Sequence, residues 1–315
     1  MRILCATDLL TRSDAAVERA GLLADQLGAQ LTLLHVVVPG GSPVALEETL
    51  QWASAELRAR SLPPRWRDGR TPEVTVRAGP AATGILDTAA RLKARLLVLG
   101  PHRKRPLHDA LEGTIAEKAL AARNCAVLVP QKFPTEPYRH VLLALDSSDS
   151  SASAVRAAEA LVLPPDVQAT VVHAHKAPYE GLLYSADVGI DAVARYAATW
   201  NRDAHRAVRE LLDLESDQPA RYDLHVEQRP AAPAILQAVE RFTPDLLVMG
   251  TRGASRLRRT LVGSVATQVL RESDCDVLIV PEGAFGPPRS KRQFGGRRRA
   301  RSGPQLQAPD NAPAA

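Results

Sequence analysis

Short runs of consecutive apolar residues alternate along this chain with longer stretches in which apolar residues return every three or four positions. The run Ile3-Leu4-Cys5-Ala6, ending in Thr7-Asp8, is of the first kind; Val17, Ala20, Gly21, Ala24 and Leu27 form a stretch of the second. Unbroken apolar runs of this length suit strands buried on both faces, and the three-to-four spacing suits helices with one buried face. Strand–helix alternation in turn predicts a parallel sheet, with right-handed crossovers that set helices on both of its faces.

The same series occurs twice. Val141-Leu142-Leu143-Ala144-Leu145-Asp146 answers the first run, and Ala169-Thr170-Val171-Val172-His173-Ala174 answers Leu31-Thr32-Leu33-Leu34-His35-Val36. Leu96-Leu97-Val98-Leu99-Gly100 is matched by Leu246-Leu247-Val248-Met249-Gly250, and Cys125-Ala126-Val127-Leu128-Val129-Pro130 by Cys275-Asp276-Val277-Leu278-Ile279-Val280-Pro281. Third strands are expected at Val74–Arg77 and Leu224–Glu227, with Pro80 and Pro233 near the starts of the helices that follow, where proline is tolerated. The interval between partners grows from 138 residues at the aspartates to 150 at the glycines and cysteines, as an insertion in the second copy would produce. Each copy reads β-α-β-α-β-α-β-α-β. The expected fold is α/β: two repeated, doubly wound, parallel five-stranded sheets of Rossmann-like type. The first domain spans 1–130, a linker 131–138, the second domain 139–281, and a basic tail without apolar periodicity, read as disordered, 282–315. The insertion, about Tyr179 to Arg195, is expected to form a lid or an extra helix.

Charge changes this picture only at one end. The net charge is +5. From Glu282 onward seven basic residues stand against Glu282 and Asp310, so the tail carries the whole excess and residues 1–281 are neutral. A neutral body argues against a fold built for specific nucleic-acid binding. The three cysteines, Cys5, Cys125 and Cys275, are scattered, which suits a reducing compartment rather than a disulfide framework. No apolar run approaches the ~20 residues of a membrane span, and the first strand starts at Arg2 without a signal pattern. A cytoplasmic protein without membrane contact is expected.

Candidate chemistry gathers after strands one and four, where ligands of doubly wound sheets bind. Gly250-Thr251-Arg252-Gly253 is followed nine residues later by Gly263-Ser264, which opens the apolar helix Val265-Ala266-Thr267-Gln268-Val269-Leu270. Glycines admit unusual φ angles and let a phosphate approach backbone N–H groups, and a helix N-terminus offers further donors with about half a positive charge. Ser264 is expected to cap that helix or give its hydroxyl to a phosphate. Arg252, Arg256, Arg258 and Arg259 raise the local potential or form a solvated face. No G-x-x-x-x-G-K-[ST] loop occurs, and the first strand is not followed by G-x-G-x-x-G. Asp146 lies in Asp146-Ser147-Ser148-Asp149-Ser150, a composition that suits a helix cap equally well. His35 and His173 end buried strands and read as structural, and Cys125 and Cys275 read as packing residues.

The G-x2-G-x9-G-[ST] pattern after strand four, the aspartate after strand one and the Leu-Leu-His-Val type of second strand resemble the universal stress protein family, over both copies. The resemblance implies an adenine-nucleotide α-hydrolase-like fold that binds ATP, AMP or another adenine nucleotide, with Mg2+ only as the nucleotide's companion. It implies that Asp146 contacts the adenosine part, the main chain near Ala174 the adenine edge, and Gly250, Gly253, Gly263, Ser264 and Val265 the phosphates and ribose. The counterparts in the first copy are Asp8, Val36, Gly100, Gly113 and Thr114. That copy departs from the pattern: it reads Gly100-Pro101-His102-Arg103, so Arg103 replaces the middle glycine and Pro101 removes an N–H.

No Ser–His–Asp set, metal-ligand cluster or paired carboxylate system is identifiable, so a stress-response or regulatory protein that is not an enzyme is expected. The alternatives are a nucleotide-free interaction scaffold, whose tail binds an acidic partner, and an adenylyl-transferring or ATP-hydrolysing enzyme of the same fold. The latter lacks its Ser-Gly-Gly-x-Asp-Ser loop here. Single-domain members of the family commonly dimerise through fifth strands, and two copies in one chain can supply that pairing internally, as a pseudo-dimer, or dimerise again.

Overall fold

A computed structural model of the chain describes residues 1–61, 71–101, 114–164, 167, 169–175, 189–251 and 263–287. The first copy contains β1 (Arg2–Ala6), α1 (Asp14–Leu27), β2 (Gln30–Val37), α2 (Pro43–Arg60), β3 (Glu73–Ala78), α3 (Ala81–Leu92), β4 (Leu96–Leu99), α4 (Ile115–Ala122) and β5 (Ala126–Val129). The second contains β6 (Val141–Ala144), α5 (Asp149–Leu161), β7 (Ala169–His175), α6 (Ile190–Glu215), β8 (Tyr222–Gln228), α7 (Ala231–Phe242), β9 (Leu246–Gly250), α8 (Ser264–Glu272) and β10 (Asp276–Val280). Every predicted strand forms. Pro80 is the residue before α3, and Pro233 lies in the first turn of α7, where its missing N–H costs no intrahelical bond.

The two halves are not separate sheets. All ten strands join in the order β3-β2-β1-β4-β5-β10-β9-β6-β7-β8. Within each copy every neighbour is parallel; at the centre β5 and β10 run antiparallel, with Leu128 opposite Leu278. The predicted internal pseudo-dimer is this seam. It consumes the fifth-strand edge of each copy, an edge that would otherwise present unpaired backbone groups. One apolar layer, under α1, α2, α5 and α6, contains Val17, Leu33, Leu57, Val155 and Leu212. The other, under α3, α4, α7 and α8, contains Leu97, Ile85, Leu120, Ile235 and Val269. Strands buried on both faces explain the unbroken apolar runs.

Antiparallel pairing at the seam sets the carboxyl end of one copy beside the amino end of the other, so the candidate sites of the two copies lie at opposite edges. The seam also carries a buried polar knot. Asp276, 2% exposed, opens β10 and accepts from Arg19 Nε at 3.2 Å, Tyr138 Oη at 2.7 Å and Gln131 N at 2.9 Å. Arg19, on α1, also donates to Glu136 O and lies 3.8 Å over the Tyr138 ring. Linker 131–138 is therefore fastened across the seam rather than a free tether. Burial, followed by the neighbouring Asp276 charge, drives the Tyr138 hydroxyl well above the ordinary tyrosine range.

Two boundaries differ from the sequence reading. Residues 179–188 of the insertion lie outside the described residues, but 190–195 begin α6, a helix of 26 residues against 18 in α2, so that part is extra helix. Residues 282–287, read as the start of a disordered tail, are docked. Phe285 is buried, Gly283 N donates to Ser153 Oγ at 2.9 Å, and Arg156 donates to the carbonyls of Phe285 and Gly286. One aromatic ring anchors a segment that composition alone presents as polar. Residues 288–315 lie outside the described residues. Among the described residues no helix is long and apolar enough to cross a membrane.

Candidate functional site

Within each copy the strand order reverses between the first and fourth strands, which are neighbours: β1 beside β4, and β6 beside β9. Connections leave such a pair towards opposite faces, and the crevice left at the carboxyl ends is where ligands enter. In the second copy that edge carries Asp146 after β6, Gly250 closing β9, and the start of α8. Gly263 N donates to Thr251 O at 2.9 Å, and Thr251 N donates to Val280 O at 3.2 Å. The connection after β9 thus returns to its own origin and sets the N-terminus of α8 against the end of the strand. Gly253, Arg252, Arg256, Arg258 and Arg259 lie within 252–262, outside the described residues.

Asp146 is half-buried. Its Oδ1 accepts from Ser148 N at 3.0 Å and Ser151 Oγ at 2.8 Å, while Asp146 N donates to Ser151 Oγ at 2.9 Å. The cap of α5 is Ser148, whose hydroxyl accepts from Ser151 N, so Asp146 is not the capping residue. Serines held by one another fix the carboxylate at the strand end. The sequence reading did not single out Ser151; its spacing of five from the aspartate, repeated by Ser13 and Asp8, is the signal that would have found it.

The start of α8 differs from expectation. Gly263, not Ser264, is the N-cap, and among the described residues no side chain caps the helix. Ser264 is the first helical residue and is exposed, while Val265 packs against the core. A helix opened by glycine leaves its first N–H groups to be met by water or a ligand. Gly250 has a packing reason of its own: a Cβ there would meet the Ser150 side chain and come within 2.9 Å of Ser150 C. Its φ is not positive, nor is that of Gly263, so at these two positions the glycine is not explained by an unusual backbone angle.

His173 Nδ1 lies 2.7 Å from Leu145 O, and His35 Nδ1 lies 2.8 Å from Thr7 O. A carbonyl only accepts, so in both rings the proton sits on Nδ1 and ties the second strand to the loop after the first. Ala174 follows on β7, partly exposed at the edge, and Val36 holds the same place on β2. Cys5, Cys125 and Cys275 are buried, and burial drives the thiol of Cys5 to about 12 and that of Cys125 to about 11.

The first copy repeats the frame with different bonding. Asp8 Oδ1 accepts from Leu10 N at 3.0 Å and Ser13 Oγ at 2.6 Å, and Arg12 pairs with Oδ2. Burial pushes the Asp8 carboxyl up, but the Ser13 hydroxyl, the Leu10 N–H and the Arg12 guanidinium outweigh it and hold it below the ordinary range. Leu9 takes a φ of 62°, and Arg60 grips its carbonyl at 2.8 Å and Asp14 at 2.7 Å. Gly100 follows β4 with Ser13 close against it. Thr114 caps α4 in a reciprocal pair: its hydroxyl accepts from Glu117 N at 3.1 Å, and Glu117 Oε2 accepts from Thr114 N at 2.9 Å. Glu117 also pairs with Arg271 of the second copy at 2.8 Å. Gly113 and Arg103 lie outside the described residues.

A carboxylate on one side of the crevice receives hydroxyl or amine donors, and helix N–H groups on the other receive an anion. The second copy places both at one edge, so its chemistry suits a ligand with a polyol part and a phosphate part.

Comparison with known proteins bears on this. The model of the universal stress protein family matches residues 1–130 and 137–281. Universal stress protein MJ0531 of Methanocaldococcus jannaschii is 27% identical over 146 residues, 45% of this chain and 82% of its own length. A universal stress protein of Thermus aquaticus is 31% identical over 145 residues, 45% of this chain and 98% of its own length. The crystal structure of a universal stress protein from Archaeoglobus fulgidus covers 90% of this chain and 98% of its own, at 20% identity and a TM-score of 0.60, a likeness of fold.

Proposed function

The chain belongs to the universal stress protein family, and from that premise we propose that it is a cytoplasmic stress-response or regulatory protein that binds one adenine nucleotide, ATP or a close relative, at the carboxyl edge of its second copy. One observation carries the reading: at that edge the glycine start of α8 faces the same crevice as Asp146, with the family's nucleotide motif spacing across the connection. Asp146 receives the ribose hydroxyls, the backbone near Ala174 borders the adenine, and Gly250, Gly253, Gly263, Ser264 and Val265 surround the phosphates. Mg2+ enters only with the nucleotide. The first copy serves as the structural half: Arg12 occupies its aspartate, and Arg103 stands in place of the middle glycine.

The bound nucleotide acts as a signal rather than a substrate. Binding phosphate does not by itself orient a water or supply a general base, and the groups assigned here only hold the ligand. Isothermal titration with ATP is expected to give one site per chain, and extraction of the purified protein to release an adenine nucleotide. No binding at millimolar ATP, together with an empty extract, would sink the reading.

A further inference from the structure

A cavity of about 400 Å³, open to solvent, lies at the amino edge of the first copy, the end of the sheet away from Asp8. Arg2 at the start of β1, Gln30 at the start of β2, Lys93 after α3 and Arg95 before β4 line it, and no carboxylate is among the lining residues. Two of the three cations are held in place. Arg2 donates through Nε to Gln30 Oε1 at 3.3 Å and through Nη1 to Leu92 O at 3.0 Å. The Arg95 guanidinium lies 4.5 Å over the ring of Phe285, which belongs to the docked strap of residues 282–287. Stacking uses the face of a guanidinium and leaves N–H groups at its rim for an anion. Lys93 takes a φ of 49°, a left-handed angle that glycine adopts without strain and lysine does not.

The second copy provides an internal comparison. Arg95 N donates to Arg2 O at 3.0 Å, and Asp245 N donates to His140 O at 2.9 Å, so Asp245 stands where Arg95 does and His140 where Arg2 does. Thr243 takes the place of Lys93, again at a positive φ, 44°. Asp245 Oδ2 accepts from Arg139 N and His140 N, both at 2.9 Å. The second copy thus finishes its amino edge with a carboxylate of its own, where the first sets three cations around an open cavity. A helix C-terminus draws cations by its dipole, and the Arg2 bond to Leu92 O is of that kind. The dipole does not explain Lys93 and Arg95, because α7 ends in the same left-handed cap with Thr243 and Asp245 at those places. We propose that this cavity binds a small oxyanion of the phosphate class, up to a diphosphate, independently of nucleotide binding by the second copy. Three cations from three elements suit more than one negative charge, and arginine forks match phosphate oxygens in pairs. No aromatic ring is among the lining residues, so the cavity offers a base nothing to stack on, and the ligand is the phosphate group itself.

Amide NMR of the full chain titrated with inorganic pyrophosphate, without Mg2+ and at low salt of about 50 mM to limit screening, tests this. Saturable shifts are expected at the amides of Arg2, Lys93 and Arg95. A parallel titration with ATP reads the nucleotide edge at Gly263 and Ser264, so the failure of either site is told from that of the other. Lys93→Gly removes one cation and relieves the left-handed angle. It is expected to weaken pyrophosphate binding about 10-fold, the size of one charge-assisted hydrogen bond, while the melting temperature does not fall. Arg95→Asp, which gives the first copy the residue of the second, is expected to weaken it at least about 100-fold. The proposal is overturned if pyrophosphate up to about 10 mM, weaker than any specific site of this charge, shifts none of the three amides. It is equally overturned if Lys93→Gly binds pyrophosphate as the parent does, or if sodium acetate at equal ionic strength moves the same amides as far.

Discussion

At the carboxyl edge of the first copy the aspartate is paired with Arg12 and the loop beside it is braced by Arg60. The helix that follows the fourth strand there is capped by Thr114 and Glu117. At the same edge of the second copy the aspartate accepts from Ser148 and Ser151, and the helix opens on Gly263, which has no side chain of its own to cap it. The frames are otherwise alike, down to the histidine that ties the second strand to the first loop. Duplication thus preserved the sheet and its packing while the polar groups at the two edges diverged. Among the described residues one edge carries charged and capping side chains, while the other is built from serines and a glycine N-cap. Even the packing differences compensate: Val36 stands against Gly84 in the first copy, where the second has Ala174 and, 150 residues after Gly84, Ala234.

The largest expected effect lies at the seam, where the copies also differ. Asp276 begins β10, but the corresponding residue of β5 is Ala126. Asp276→Ala leaves Arg19 buried without its carboxylate and frees the linker N–H groups. Breaking a buried pair by removing one partner costs about 3–5 kcal/mol, and urea denaturation is expected to show a loss of that size. Ala126→Asp, its mirror, would place a carboxylate at a fully buried apolar position and is also expected to destabilise. A loss below about 1 kcal/mol for Asp276→Ala would mean that the knot does not hold the copies together.

The next effect concerns the ligand. Gly253→Arg gives the second copy the residue of the first, Arg103, and is expected to weaken ATP binding at least 100-fold, or about 2.7 kcal/mol, with stability unchanged. Titration calorimetry measures it. Normal ATP binding by this variant would mean that the middle glycine does not distinguish the two edges.

Gly100 and Gly250 offer a test of packing alone. A Cβ at Gly250 would lie 2.8 Å from Ser150 Cβ and 2.9 Å from Ser150 C, whereas at Gly100 the nearest carbon, Ser13 Cα, is 3.3 Å away. Gly250→Ala is expected to cost about 2–3 kcal/mol and Gly100→Ala about 1 kcal/mol, within the range for overpacked sites. Equal denaturation midpoints for the two variants would show that the second copy's first loop is not the tighter one.

Most of the strands and the doubly wound order were legible because buried parallel strands leave unbroken apolar runs and the repeat supplies each run twice. The seam left only one mark, the charge of Asp276 in a run that is otherwise apolar in both copies; the partner that explains it, Arg19, lies 257 residues away. The strap was misread because Gly283, Gly286 and Pro287 weigh against order in any composition argument, while the buried Phe285 ring and the bonds from Ser153 and Arg156 that hold it are not visible in composition. At the site, motif spacing located the edge, but bonding between neighbours was hidden. Arg12 is four residues from Asp8, Ser151 five from Asp146, and whether such groups meet depends on how the first turn begins. Ser264 was misplaced by one position for the same reason: a cap is defined by backbone angles, and Gly263 has the extended ones.

The smallest expected effect isolates what Arg12 does to Asp8. The carboxyl is held below the ordinary range, so its contribution to stability is complete above the unfolded value of about 3.9 and is lost as pH falls through the folded value. Both side chains are about a third exposed, at 34% and 37%, so solvent screens the pair and its share of total stability is small. Arg12→Ser removes the guanidinium and leaves Ser13 and Leu10 in place, the counterparts of the hydroxyl and N–H from which Asp146 accepts. Carbon-13 titration of the side-chain carboxyls is expected to show the Asp8 midpoint rising in this variant without returning fully to the ordinary value. An unmoved Asp8 midpoint would mean that the pair does not persist in solution, and the first edge would then differ from the second in its arginine at 103 and its helix cap, not in its aspartate.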